Sequence, residues 1–314
     1  MKNKRIGIRD IATATGVSAS TVSRALQGNL RISEPVRNQV IKIAESLKYL
    51  PQCGRERAVA LVASRIGGHG YYGNLLESIQ NAAYSRNYRL ELILPDAVDL
   101  FLSKYYMGVL CVGLDAKQLK AVAESTCRPI VVFNHESDFA PNAYSVVSDD
   151  KEIMHRIFAK FISRGCRRIA LLLSGDVVKN FSNIRRLDGY RQECLLRNIE
   201  PIEEIVQENI DAVEAAIMRI GQKGVDLMIY VASPFLINVE RFLLQHDFPG
   251  LSLVSWENFI LGKTSHPIVR QDLETMAKTG FALLENVATN RAVSRMTSVS
   301  YLFNMRFTPN VGKK

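Results

Sequence analysis

Ser18, Ala19, Ser20, Thr21, Ser23 and Arg24 combine short side chains, four of them hydroxyls, with a single long guanidinium. On a helix, Ala19, Ser20, Ser23 and Arg24 share the outer face. Short groups let a helix backbone press into a groove, and a guanidinium can fork onto the two acceptors of a guanine edge. The chemistry implied is recognition of duplex DNA. Ala19, Ser20 and Arg24 are placed to read bases, while Ser18, Thr21, Ser23, Ser33 and Arg37 are placed to hold phosphates and so fix the register.

Other chemistries find less support. Gly68-His69-Gly70-Tyr71-Tyr72-Gly73 fits G-x-G-x-x-G, follows an expected strand, opens an expected helix and has Glu91 behind it. That is a dinucleotide fingerprint in its proper setting, and a nucleotide-dependent oxidoreductase is the rival reading it carries. Asp149-Asp150 could be paired carboxylates, but neighbours at a helix start point apart and favour its dipole, so helix capping is the expectation. Five histidines are scattered without metal-ligand spacing, and no nucleophile elbow or Walker sequence is present. The five cysteines are odd in number and lack C-x-x-C pairing, which suggests neither a zinc site nor a disulfide framework. No enzyme activity, cofactor or metal is expected.

The elements that must position the first group are short. Ile8, Ile11 and Ala12 recur at the spacing of one helical face; Gly16-Val17-Ser18 interrupts; Val22, Ala25 and Leu26 rebuild the stripe. Gly16 suits a left-handed turn, and Ser18 can cap the second helix by accepting from the amide of Thr21. A third helix begins near Ser33-Glu34-Pro35, with Ser33 as its cap, and carries Val36, Val40, Ile43 and Leu47 on one face. Periodicity alone leaves room for a protein-interaction module. Charge decides otherwise: through Ala58 there are eleven Lys and Arg against four Asp and Glu, a surplus of seven, while all 314 residues carry only +9. A basic excess concentrated in so short a segment is the footprint of a polyanion partner.

The run Ile8-Arg9-Asp10-Ile11-Ala12, Gly16-Val17-Ser18, Thr21-Val22-Ser23-Arg24, then Ile32-Ser33, Arg37 and Tyr49-Leu50-Pro51, closely resembles the head of the lactose/galactose repressor (LacI/GalR) family of bacterial transcription regulators. The match is free of gaps from Ile8 to Pro51. It implies a helix-turn-helix head over 1–50, paired in a homodimer on double-stranded operator DNA. The linker, 51–58, departs from the pattern. Relatives have a longer segment there that forms a hinge helix and wedges a leucine into the minor groove. Gln52-Cys53-Gly54-Arg55-Glu56-Arg57 has a poor helix former and no free apolar wedge.

The body, 59–314, alternates apolar runs with helical patterns. Strands are expected at Val59 to Ala63, Leu90 to Leu94, Gly108 to Val112, Ile130 to Phe133, Arg168 to Leu173, Ile205-Val206, Leu227 to Val231 and Leu251 to Val254. Helices are expected near Asn74 to Ser85, Asn183 to Leu196, Ala212 to Gln222 and Pro234 to Gln245. Such alternation means parallel β-α-β units in doubly wound sheets. Val147 to Asp150, Gly165 to Ala170, Arg186 to Tyr190, Leu253 to Glu257 and Pro267 to Asp272 extend the resemblance more weakly. They imply a periplasmic-binding-protein type of body, with lobe one about 59–146 and 271–293 and lobe two about 147–270 and 294–314. The last strand, near Val299 to Phe307, is expected in lobe two.

By the same resemblance a small-molecule effector, sugar-like or sugar-phosphate-like, lies between the lobes. Arg186 falls on an effector-binding position, Ser182 one turn before it on another, with Asn134, Ser233-Pro234 and Glu257 at drifted positions and His69, Tyr71 and Tyr72 in a loop near the ligand. Carboxylates have been lost and arginine kept, with Lys179 and Arg185 nearby, so an anionic effector is expected. A regulator whose body has given up its ligand remains the second alternative. With no apolar run of bilayer length and no secretory segment, the expected location is the cytoplasm, on the nucleoid when bound to operator.

Overall fold

In the computed structural model, residues 6–49, 57–65, 70–175, 180–231, 235–256, 266–289 and 291–304 are described. The chain divides into two compact units. The first comprises Met1–Val147 and Leu273–Thr297, the second Ser148–Asp272 and Ser298–Lys314. No described helix is long and apolar enough to cross a membrane.

The first unit opens with three helices, α1 (Ile8–Thr15), α2 (Ala19–Leu26) and α3 (Glu34–Ser46). Gly16 ends α1 in the left-handed region at φ 72°, which a side chain would strain. Ser18 caps α2, its Oγ accepting from the Thr21 amide at 3.1 Å. The expected cap at Ser33 is not made: its backbone is extended, but its side chain takes no capping hydrogen bond, and Pro35 in the first turn removes one donor that needed satisfying. Ile11, Val22, Ala25, Leu26, Val40 and Ala44 are buried together as the core of this head.

The rest of the first unit is a six-stranded sheet. Its strands are β1 (Ala58–Ala63), β2 (Arg89–Ile93), β3 (Val109–Val112), β4 (Ile130–Phe133), β5 (Ala143–Ser148) and β11 (Met296–Val299), in the order β11-β5-β4-β3-β1-β2. The pairs β1–β2, β1–β3, β3–β4 and β4–β5 are parallel. Strands β1, β3 and β4 are buried at every position, the signature of a parallel sheet covered on both faces. Among the covering helices are α4 (Gly70–Ser85), α5 (Ala116–Ser125) and α10 (Leu273–Ala288). α10 comes so close that a Cβ on Gly280 would stand 2.7 Å from the Phe133 ring, and one on Gly108 2.6 Å from Leu284.

The second unit repeats the plan, with β6 (Ile169–Ser174), β7 (Ile202–Val206), β8 (Leu227–Val231), β9 (Ser252–Trp256), β10 (Ile268–Arg270) and β12 (Leu302–Asn304) in the order β12-β10-β9-β8-β6-β7. Its helices are α6 (Asp150–Ile162), α7 (Phe181–Leu196), α8 (Ile210–Gln222) and α9 (Leu236–Gln245). β12 runs antiparallel to β10.

Two expectations change. The last strand, expected near Val299 to Phe307 in lobe two, is found in the second sheet as the three residues of β12, its end at 305–307 lying outside the described residues, while Met296–Val299 adds an unexpected strand, β11, to the first sheet. Residues 143–148, absent from the expected strands, form β5. Polar Ser145 hides that strand in the sequence; its hydroxyl is satisfied by the His135 carbonyl at 2.6 Å.

Candidate nucleic-acid interface and effector residues

Helix α2 buries Val22, Ala25 and Leu26, and this fixes what it presents outward. Ser18, Ala19, Ser20 and Arg24 are exposed; Thr21 and Ser23 are half-buried. The hydroxyls are ordered among themselves, Ser18 Oγ lying 2.9 Å from both Ser20 Oγ and Thr21 Oγ1. Ser23 Oγ accepts from Gln27 Nε2 at 3.1 Å. Ser33 is exposed, whereas Arg37 is half-buried and donates from Nη1 to the Ile32 carbonyl at 3.2 Å. All eight proposed DNA contacts therefore belong to one small body, with Arg24 the least encumbered and Arg37 the most anchored.

In the first unit, the carboxyl ends of the strands gather Tyr71, Tyr72 and Asn134. Asn134 leaves β4 in the left-handed region at φ 50° and donates from Nδ2 to the Tyr71 hydroxyl at 2.9 Å. The Tyr71 and Tyr72 rings meet edge to face with centroids 5.2 Å apart. Tyr72 lies against Gly113, where a Cβ would stand 2.6 Å from the ring. Glu91, which the dinucleotide reading needs for a ribose, is instead engaged by Arg89 at 2.7 Å, by Lys104 and by the Tyr106 hydroxyl at 3.0 Å.

In the second unit, α7 follows the carboxyl end of β6 and is capped by Asn180, whose side chain accepts from the Asn183 amide at 3.1 Å. Ser182 and Arg186 lie one turn apart on it, both half-buried. Arg186 is not a solvated charge. Its Nε donates to Asp150 at 3.2 Å, its Nη2 to the Tyr301 hydroxyl at 3.3 Å, and its guanidinium stands 5.4 Å from the centre of the Trp256 ring. Arg185 Nε reaches the other oxygen of Asp150 at 3.1 Å, and the Tyr301 hydroxyl donates to Asp150 at 2.7 Å. Asp149 caps α6 as expected, accepting from the Glu152 amide at 3.3 Å. Asp150 does not merely favour the helix dipole: it is 1% exposed and anchors this whole cluster. Sequence reasoning missed Asp150 and Tyr301; the only signal was that two adjacent arginines need an acid somewhere. His69, Lys179, Ser233, Pro234 and Glu257 lie outside the described residues.

A basic helix-turn-helix head joined to a body of two mainly parallel sheets is the architecture of a DNA-binding transcription regulator. Residues 7–52 match the family model for bacterial regulatory proteins of the lacI family. Over 95% of its length the chain is 24% identical to the HTH-type transcriptional regulator GalR of Streptococcus thermophilus, of which it covers 98%. It is 24% identical to the sucrose operon repressor of Lactococcus lactis subsp. lactis, over 91% of this chain and 86% of that one. The lac repressor dimer bound to operator and the anti-inducer ONPF shares the fold at a TM-score of 0.66 and 18% identity, over 97% of this chain and 99% of that one. A complex of the regulator CelR with cellobiose does so at 0.64 and 20%, over 96% and 99%. The protein carries a lacI-family helix-turn-helix domain and is a relative of the LacI/GalR transcription regulators.

Proposed function

We propose that the protein is a homodimeric repressor whose paired heads read half-sites in successive major grooves of an operator, under the control of a small-molecule effector. The observation that carries this is the exposed face of α2, on which Ser18, Ala19, Ser20 and Arg24 stand clear of the buried core of the head. Arg24 and Ala19 with Ser20 select bases, and Ser18, Thr21, Ser23, Ser33 and Arg37 grip phosphates. The related sucrose operon repressor and the cellobiose-bound CelR favour a sugar-like effector.

Tyr71, Tyr72 and Asn134 in the first unit and Ser182 and Arg186 in the second are the described residues offered to it. Around Arg186, two guanidinium groups face the single carboxylate of Asp150, which leaves one positive charge in surplus and favours an anionic sugar derivative over a neutral sugar. Effector and operator must prefer different states of the body, and their effects on one another are then reciprocal.

Fluorescence anisotropy with a pool of duplexes at low salt tests the first half: selection of a palindromic sequence supports it, and indifference to duplex DNA with the head folded refutes it. A thermal-shift screen of sugars, sugar phosphates, nucleosides and organic acids tests the second, since a ligand of the folded state must raise apparent stability. Tight binding of a neutral monosaccharide with no response to its phosphate would overturn the anionic reading.

A further inference from the structure

The apolar core of the head contains a ring that the head does not encode. Tyr105, which leads into β3, is 1% exposed and packs with Ile11, Val22, Ala25, Leu26, Val40, Ala44 and Tyr49. Its ring meets that of Tyr49 edge to face with centroids 5.7 Å apart, and its hydroxyl donates to the Tyr49 carbonyl. Its backbone amide donates at 3.0 Å to the carbonyl of Leu26, the last residue of α2, whose acceptor the helix itself cannot satisfy.

Arg128, which leads into β4, lies over the Tyr105 ring with its guanidinium carbon 3.9 Å from the centroid. Its Nε reaches Glu45 of α3 at 3.6 Å. Arg128 is 7% exposed, and neither its Nε nor its Nη2 makes a hydrogen bond among the described residues. The acid and the ring are therefore what hold it in place. Burial pushes its pKa down to about 10 and raises that of Glu45. A charge held out of water in this way is tolerated only while its partner stays in place. Beside it, Gly28 at φ +72° admits the backbone of Ser103 and the Lys104 side chain, each 3.0 Å from where a Cβ would be.

These contacts join the head to the amino-terminal ends of β3 and β4 through an apolar ring, two backbone-directed hydrogen bonds and a buried ion pair. Ser18, Ala19, Ser20 and Arg24 remain exposed throughout. We infer that lobe one carries a socket for its own head, built by Tyr105 and Arg128, which clamps the head with its DNA face open and sets the direction in which α2 points. The clamp does the orienting, and the linker need only connect. Because it requires neither DNA nor effector, this inference stands or falls separately from the proposed function.

Nuclear relaxation of amide 15N in the full chain, without DNA, tests it. Amides of Ile8–Thr15 and Glu34–Ser46 are expected to tumble with the correlation time of the body strands. In the double variant Tyr105→Ala with Arg128→Met, the head is expected either to tumble several-fold faster or to lose its folded spectrum while the body keeps its own. Either result shows that the head depends on lobe one. A wild-type head that already tumbles independently overturns the clamp, as does a double variant whose head stays folded and slow. Should the double variant lose the body as well, Glu45→Lys sets like charge against Arg128 from the head side: release of the head with an unchanged body spectrum supports the clamp, and a head that stays slow overturns it.

Discussion

Asp150 offers the sharpest test of how the second unit is held together. It is 1% exposed and receives Arg185 Nε, Arg186 Nε and the Tyr301 hydroxyl at 3.1, 3.2 and 2.7 Å. The arginine side chains are only 21% and 11% exposed, so solvent screens the pairs weakly. Asp150→Asn keeps the volume and one acceptor but strands two poorly hydrated guanidinium groups beside a neutral amide. Removing one member of a buried charge cluster costs about 3–5 kcal/mol, and the surviving carbonyl places this change near the lower end, about 3 kcal/mol. With a urea dependence of about 1–3 kcal/mol/M, the unfolding midpoint should fall by about 1–3 M. The only tryptophan, Trp256, is buried edge-on to Tyr301 at 5.5 Å, so its fluorescence reports this transition directly. The control is Asp149→Asn, an N-cap change worth about 1 kcal/mol or less. A loss under about 1 kcal/mol for Asp150→Asn would show that the cluster is hydrated and that its buried charge pairing was misjudged.

Arg24→Ala should cost about 1–3 kcal/mol on the selected operator and relax its sequence choice, whereas Arg37→Ala should weaken binding to all duplexes alike; indistinguishable behaviour in competition anisotropy refutes the division of roles. His266 is buried between Ser255 Oγ at 2.7 Å and Glu240 at 3.2 Å, and burial pushes its pKa from 6.5 down to about 4. Below pH 6.5 the unfolded chain takes up a proton that the folded chain refuses, so stability is lost as pH falls from 6.5 towards 4, by up to about 3 kcal/mol. Urea titrations of wild type and His266→Gln across that window should converge at low pH; parallel curves count against the assignment. With no apolar wedge between Pro51 and Arg57, the operator centre should bend little, and a sharp kink in a gel-phasing assay would contradict that reading.

The head was legible because its determinants are local: the stripe Ile11, Val22, Ala25, Leu26 and Val40, the left-handed Gly16, and a cap three residues from its amide. Strands β1, β3, β4 and β8 were legible as unbroken apolar runs bounded by turns. β5 and β11 were not, since short strands holding Ser145 or Thr297 owe their form to neighbours far along the chain. The same limit hid Asp150 and Tyr105. A carboxylate that meets arginines of the next helix, or a tyrosine that completes a core laid down far earlier in the chain, is set by tertiary contact, and neither periodicity nor spacing encodes it.

The discontinuous make-up of the first unit has a consequence for its synthesis. Its opening stretch ends at Val147, but α10 and β11 arrive only with Leu273–Thr297, 150 residues later (297 − 147). At about 5–20 residues per second a ribosome needs roughly 8–30 s to deliver them. Until then Phe133 and Gly108, against which Gly280 and Leu284 will close, lack the cover that α10 gives them. The nascent protein therefore passes through a long interval of exposed apolar sheet, and chaperone demand should fall most heavily there.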